Sequence, residues 1–253
     1  MYRLYNEDCL KVLGTLDEGS IDCVVCDPPY RTQQRGSSGD MGGWLASEDG
    51  MNGKGGFTHN DLSIDDYAPL LFNVMKDGAH GYLMTNDLNL VGFHEVLKRY
   101  GFSVFKTLIW AKNNVIANQY YMNSHEYIIF FRKGHAVSIN NRGTRSVLSF
   151  PNSKNKAHPS EKPIELLKVL IENSTKEGDT VLDFTMGSGS TGSACMRTNR
   201  RFVGIELDKE YFHLSEDRIE TAAIQYGRKG NTQDIETESS VVSLESFLGL
   251  GGV

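Results

Sequence analysis

Apolar positions along this chain follow two alternating rhythms. Short β-branched and aromatic runs, Arg3–Tyr5 and Ile21–Cys26, flank a segment whose Leu10, Leu13 and Leu16 recur at helical spacing. Helical periodicity returns over Ile64–Met75, where Tyr67, Leu70, Leu71, Val74 and Met75 share a face and Gly78 is the expected stop. Gly81–Thr85 predicts a strand, Leu88–Tyr100 a helix closed by Gly101, and Phe102–Trp110 and Tyr127–Arg132 two more strands. Pro163 stands where a first helical turn accepts proline. Ser160 is its candidate cap, and Ile164–Ser174 carries the matching periodicity. Strand Thr180–Phe184, a glycine turn, a helix near Thr191–Thr198, strand Arg201–Glu206 and helix Lys209–Tyr226 complete the series. This alternation predicts an α/β fold, a mostly parallel twisted sheet with helices on both faces.

Two stretches interrupt the rhythm. Arg31–His59 loses apolar content and gains Gly36, Gly39, Gly42, Gly43, Gly50, Gly53, Gly55 and Gly56, which reads as a long loop over 31–60. Gly134–Ala157 is a polar, basic insert. The last stretch, 231–253, holds Asp234, Glu236, Glu238 and Glu245 without Lys or Arg, and reads as an unstructured tail. Residues 1–230 then form one domain, which suits a chain of 253 residues.

Charge changes the picture in one respect. A net charge of −6 argues against nucleic acid as a partner, but the segment from Arg132 to Lys162 carries seven basic residues against Glu161 alone. No run approaches the roughly 18 apolar residues of a membrane helix, and Met1–Asp8 has no signal-peptide core, so a cytosolic, reducing setting is the expectation. Cys23 and Cys26 form a CxxC inside a strand. Their odd spacing sends the two thiols to opposite faces, so they are read as core residues and no metal site is expected.

The segment Val181-Leu182-Asp183-Phe184-Thr185-Met186-Gly187-Ser188-Gly189-Ser190-Thr191-Gly192 runs from an apolar strand through a G-x-G-x-x-G turn into a helix, and Glu206 closes the next strand. Glycines let backbone approach a ligand closely, and an acid at the neighbouring strand tip can accept from ribose hydroxyls. The pattern fits an adenosine-containing cofactor. Nicotinamide enzymes share it, but Asp183 just before the turn would repel a pyrophosphate, whereas a cationic sulfonium tolerates a carboxylate. That favours S-adenosylmethionine. A plainer role for Asp183, bracing the turn, stands beside this one.

Asp27-Pro28-Pro29-Tyr30 follows directly from the strand Ile21–Cys26. Two prolines stiffen the chain and supply no amide donors, so carbonyls, a carboxylate and a ring are held together at a strand's C-terminal end. An exocyclic amino nitrogen is a poor nucleophile because its lone pair is delocalised into the base. If Asp27 and the Pro28 carbonyl accept its two protons, the nitrogen pyramidalises and aims that lone pair at a methyl donor, while Tyr30 offers a face for stacking.

Taken together, DPPY and the downstream D-x-x-x-G-S-G-S-T resemble the amino-group DNA methyltransferases, and the order of the two motifs resembles their β group. Asn6-Glu7-Asp8-Cys9-Leu10 is similar to the family's G-D-C-L, with Glu7 in place of the glycine. His158-Pro159-Ser160-Glu161-Lys162-Pro163 is similar to its H-P-x-x-K-P, and His125–Phe131 to the strand after its catalytic region. The glycine turn is looser than the family's usual form around Phe184-Thr185-Met186.

The resemblance implies a Rossmann-like methyltransferase fold, S-adenosyl-L-methionine as cofactor, and methylation of adenine N6, since cytosine-N4 relatives usually carry serine at the position of Asp27. It implies that Asp8 and Cys9 line the adenine end of the cofactor and that Ser160, Lys162 and Pro163 line its methionine end. Asp27, Asp183, Phe184, Gly187, Ser188, Gly189, Thr191, Glu206 and Leu207 complete the pocket. The implied partner is double-stranded DNA with the target base flipped out of the stack, and relatives are often homodimers. The expected DNA contacts are Arg31 and Arg35 in the glycine-rich loop, Lys112 at a strand end, and Arg142, Arg145, Lys154 and Lys156 in the basic insert. Trp110 is read either as base-pocket lining or as ordinary core.

Overall fold

The computed structural model describes residues 1–30, 62–116, 121–152 and 161–227. Its elements in order are β1 (Tyr2–Tyr5), α1 (Cys9–Thr15), β2 (Ile21–Cys26), α2 (Ile64–Val74), β3 (Met75–Thr85), α3 (Leu90–Arg99) and β4 (Ser103–Ile116). They continue with β5 (Asn123–Arg132), β6 (Val147–Ser149), α4 (Ile164–Ser174), β7 (Thr180–Asp183), α5 (Ser190–Arg197), β8 (Arg201–Ile205) and α6 (Lys209–Gly227). The strands form one sheet in the order β1-β8-β7-β2-β3-β5-β4-β6. Only the β3–β5 and β5–β4 pairings are antiparallel among the described residues, so the sheet is mostly parallel, as the alternation of elements predicts.

Alternate residues of β2 feed opposite sides of the sheet, and that builds two cores. Val24 and Cys26 pack with Val12 and Leu13 of α1, Tyr67 and Leu71 of α2, and Phe93 and Leu97 of α3. Cys23 and Val25 pack with Leu167 and Ile171 of α4, Cys195 of α5 and Ile219 of α6. The CxxC is therefore split between the two cores, and all four cysteines are free and buried. Each fully buried Leu, Ile or Phe here contributes roughly 1.5–3 kcal/mol of transfer free energy.

Several boundaries differ from expectation. Helix α2 stops at Val74, because Met75 is already extended while its N–H still caps Leu71. Strand β3 begins there, six residues before the predicted start at Gly81. Gly78 is not a helix stop but a left-handed point within β3, with φ +81°. Around it five residues of β3 oppose two of β2, from Ile21↔Met75 to Cys23↔His80, an irregularity that hides the strand's period from sequence. The β4–β5 hairpin outruns its two predicted strands: Asn123, a poor strand former alone, is held by its pairing with Ile116. β6 lies inside the basic insert; three residues with one buried side chain, Leu148, leave no readable pattern. Finally, the cap position of α4 is Pro163 itself, which makes no side-chain cap bond, while Ser160 lies outside the described residues.

Candidate active site

Neighbouring parallel strands β1, β8, β7 and β2 end side by side, and each delivers one part of the site from its C-terminal end. This is where open α/β sheets bind ligands. After β1 come Asn6 and Asp8, after β8 Glu206 and Leu207, after β7 the glycine turn, and after β2 Asp27–Tyr30. Sequence spacing alone does not bring these four together; the strand order does.

The turn is fastened from several directions. Gly187 and Gly189 adopt φ of +51° and +74°, conformations open to glycine at little cost. The Gly187 N–H donates to Glu206 Oε2 at 2.8 Å, and the Asp208 N–H donates to Glu206 Oε1 at 2.9 Å, so this carboxylate shapes the turn as well as standing at its mouth. Burial pushes the Glu206 carboxyl above its usual range, against the pull of these backbone donors. Asp183 is buried and takes hydrogen bonds from Thr191, Cys26 and the Thr185 N–H. Burial nevertheless lifts its pKa to about 6. It braces the turn, the plainer of its two expected roles. Phe184 is fully buried, its ring 4.8 Å from that of Tyr67, and so belongs to the core. Leu207 is 45 % exposed at the strand tip. Asp8 caps α1 by accepting from the Leu10 N–H at 2.8 Å, and Cys9 is buried behind it.

Asp27 stands at the centre of a chain of charges. Lys162 Nζ donates to its Oδ2 and lies 3.5 Å from Glu126 Oε2, while Lys112 Nζ donates to Glu126 Oε1. Asp27 Oδ1 is buried with no hydrogen-bond partner. Burial raises the Asp27 pKa; Lys162 opposes this, and Glu126 adds to it. For Glu126 the two lysines outweigh burial and the net shift is downward. For Lys162 burial works downward, but the Asp27 and Glu126 carboxylates win and the net shift is upward. Pro28 is buried, and Tyr30 packs edge-on against Phe93 with ring centroids 6.5 Å apart.

The predicted residues thus divide. Asp8, Asp27, Lys162, Asp183, Gly187–Gly189 and Glu206 are gathered at one edge of the sheet. Lys112 is paired inside the protein and lies 4.9 Å from the centre of the Trp110 ring. Trp110 is core, with Nε1 donating to the Phe150 carbonyl at 2.8 Å. Arg142 and Arg145 are exposed. Asn140, Asn141 and Thr144 tie their loop to the C-terminal end of α4. Since α4 starts beside Lys162 and has 11 residues, Arg142 stands about 16 Å along it from the catalytic edge. Arg31, Arg35, Lys154 and Lys156 lie outside the described residues.

Sequence reasoning missed the residues that join these parts. Thr185 Oγ1 donates to the Asp27 carbonyl at 3.3 Å and meets Cys26 Sγ at 3.0 Å, linking the glycine turn to the tetrapeptide. The Asn6 side-chain amide donates to the carbonyls of Glu206 and Leu207. Polar residues inside motifs were the available signal for these two; Arg218, on α6, had none.

The donor set fits a cationic, phosphate-free adenosine ligand. Carboxylates cluster around the turn, and the guanidinium that reaches it, Arg218, is paired with Glu161. A DNA methylase family profile, that of the N6/N4 methylases, matches residues 21–217, which spans the tetrapeptide, the glycine turn and the start of α6. The chain belongs to this family. As a DNA methylase it uses S-adenosyl-L-methionine as methyl donor, and the nicotinamide alternative falls away.

Among similar proteins, type II methyltransferase M2.DpnII of Streptococcus pneumoniae is 29% identical over 238 residues, covering 86% of this chain and 89% of that protein. Putative methylase YubD of Escherichia coli (strain K12) is 29% identical over 225 residues, covering 89% and 92%. Among solved structures, the M1.HpyAVI–SAM complex superposes with a TM-score of 0.66 at 22% identity, covering 86% of this chain and 100% of that one. The cytosine-N4-specific PvuII DNA methyltransferase superposes at 0.67 and 18% identity, covering 90% and 93%. These likenesses establish the methyltransferase fold. Among the described residues no helix is long and apolar enough to cross a membrane, and no cluster of His, Cys, Asp and Glu is suited to a metal ion.

Proposed function

We propose that this methylase methylates the N6 amino group of adenine in DNA. The observation that carries the reading is the state of Asp27: one oxygen fixed by Lys162, the other buried and without a partner. A buried acceptor left unpaired costs about 1–3 kcal/mol, and that cost is removed when a donor arrives. An exocyclic N–H of a flipped base is such a donor.

Asp27 Oδ1 accepts one amino proton and the Pro28 carbonyl the other, so the nitrogen lone pair is freed from the ring. Tyr30 stacks on the base. S-adenosylmethionine supplies an electrophilic methyl group on sulfur. As the new C–N bond forms and the S–C bond breaks, the nitrogen gives up one proton, which Asp27 accepts and passes to solvent. Burial suits Asp27 to that last step, because it raises the carboxylate's basicity. Asp8 and Glu206 are the acceptors for the adenosine portion, and the turn Gly187–Gly189 lets backbone approach it.

Two regions are proposed to meet the DNA in a cytosolic setting. One is the basic set of Arg31, Arg35, Arg142, Arg145, Lys154 and Lys156. The other is the β4–β5 hairpin. Its pairing continues to Ile116↔Asn123, beyond Tyr127, where β3 ends, so the hairpin projects past the catalytic edge with Tyr121 90 % exposed.

Cytosine N4 is the second reading, favoured by the superposition on a cytosine-N4-specific enzyme. Mass spectrometry of nucleosides from DNA incubated with enzyme and cofactor separates the two. N6-methyladenine supports the first reading, and N4-methylcytosine alone replaces it.

A further inference from the structure

Glu161 and Lys162 are consecutive, both buried, and reach in different directions. Lys162 extends to Asp27 after β2. Glu161 Oε1 accepts from Arg218 Nη2 of α6 at 2.8 Å. The other arm of the same guanidinium, Nη1, contacts the Ser188 carbonyl at 3.3 Å, Ser188 Oγ at 3.2 Å and Ser190 Oγ at 3.2 Å. One side chain therefore grips both the glycine turn and the segment that anchors the catalytic acid.

The rest of α6 reinforces the grip. A Cβ built on Gly189 would stand 2.9 Å from Ser215 Cβ, and one on Gly192 would collide with Ile219, so helix and turn are in direct contact on either side of Arg218. A planar, always charged guanidinium suits such bridging, since its donors diverge in a fixed fork.

We propose that Arg218 is a positioning residue for methyl transfer. By joining Glu161 to the Ser188–Ser190 turn it sets, through the adjoining Lys162, where Asp27 stands relative to the methyl donor. Methyl transfer needs nitrogen, carbon and sulfur aligned, and misplacement by about 1 Å can cost on the order of a hundredfold in rate. The inference rests on the reading of Asp27 as the acceptor of the target amino group.

The test compares Arg218→Met, which keeps the apolar stem, with Arg218→Lys, Glu161→Gln and the Arg218→Met/Glu161→Gln double variant. Three quantities are read: the single-turnover rate of methyl transfer to duplex DNA at saturating cofactor, the Kd for S-adenosylhomocysteine, and amide hydrogen exchange of the peptide spanning 161–170 with and without that molecule. Arg218→Met is expected to slow transfer about 10- to 100-fold while weakening cofactor binding less than the rate. Arg218→Lys, which keeps the pair with Glu161, recovers part of the rate. The double variant is no slower than Arg218→Met alone, because both remove one link.

In the wild type, S-adenosylhomocysteine protects the 161–170 peptide from exchange, and in Arg218→Met that protection is lost. Additive losses in the double variant, an unchanged rate in Arg218→Met, or protection independent of Arg218 would each overturn the proposal. If Arg218→Met does not fold, the Arg218→Lys and Glu161→Gln pair is read by the same criteria. If the wild type methylates no DNA, the proposed substrate fails, while the exchange measurement still decides whether Arg218 couples the turn to the Lys162 segment.

Discussion

Lys162 donates to Oδ2 of Asp27 and leaves Oδ1 buried without a hydrogen-bond partner. The lysine thus holds the carboxylate in one orientation and presents its second oxygen to whatever enters the site. It also favours the charged form of a group that burial pushes toward neutrality. Replacing Lys162 with Met is expected to move the acid limb of the pH–rate profile upward by about 1–3 pH units, the usual influence of an adjacent cation. Glu126→Gln has the opposite sign: one negative neighbour is lost, and the limb moves down. Identical limbs in the two variants and the wild type would contradict this account.

A second prediction concerns stability. Burial lifts the Asp183 carboxyl in the folded protein to about 6, above its ordinary value of 3.8. The native state therefore binds its proton more tightly than the unfolded state, and stability declines as pH rises from about 4 to about 6. The decline is on the order of 3 kcal/mol, from 1.36 kcal/mol per pH unit. Urea titrations of wild type and Asp183→Asn without cofactor isolate the effect. The difference between them should grow across that window in favour of the Asn variant, and a constant difference would contradict the pKa.

Much of this arrangement was legible beforehand because it is carried by local chemistry. The periods of β2, α4 and β7 are clean since each element buries one consistent face, or both, and the glycine turn and DPPY sit at strand ends where motifs place them. What escaped is long-range. Gly78 disguises β3 because a left-handed residue breaks the alternation. The packing of the Phe184 ring in the core beside Tyr67 is another contact that its place in a motif does not reveal. Lys112 reads as a free cation at a strand end, and only the pairing of β4 with β5, which sets Trp110 opposite Glu126, reveals its partner. Arg218 sits in an ordinary polar helix, and its role appears only once α6 lies against the turn.

Close packing of α6 on the turn gives a third prediction. A Cβ at Gly192 would stand 2.8 Å from Phe202 Cε1 and closer still to Ile219, whereas one at Gly14 in α1 meets nothing within 4 Å. Gly192→Ala should destabilise by about 1–3 kcal/mol through overpacking. Gly14→Ala should be neutral or stabilise by up to about 1 kcal/mol through helix propensity. Thermal melts of the pair are the check, and equal melting temperatures would contradict the packing described.

Tyr121 offers a fourth. At 90 % exposure it contributes little to folding, and on the projecting hairpin it is placed to stack on a nucleic-acid base. Tyr121→Ala should weaken DNA binding by about tenfold, in keeping with roughly 1–3 kcal/mol per base–aromatic stack, and leave the melting temperature unchanged. Fluorescence anisotropy with a labelled duplex measures this. Unaltered affinity would remove the hairpin from the interface.

The most direct measurement is transfer of tritiated methyl from S-adenosylmethionine to mixed-sequence duplex DNA, comparing wild type with Asp27→Ala. The account predicts label in N6-methyladenine with the wild type, and loss of that label in the variant while cofactor binding persists. Label that survives in Asp27→Ala, or a wild type that binds cofactor and leaves DNA unlabelled, would contradict it.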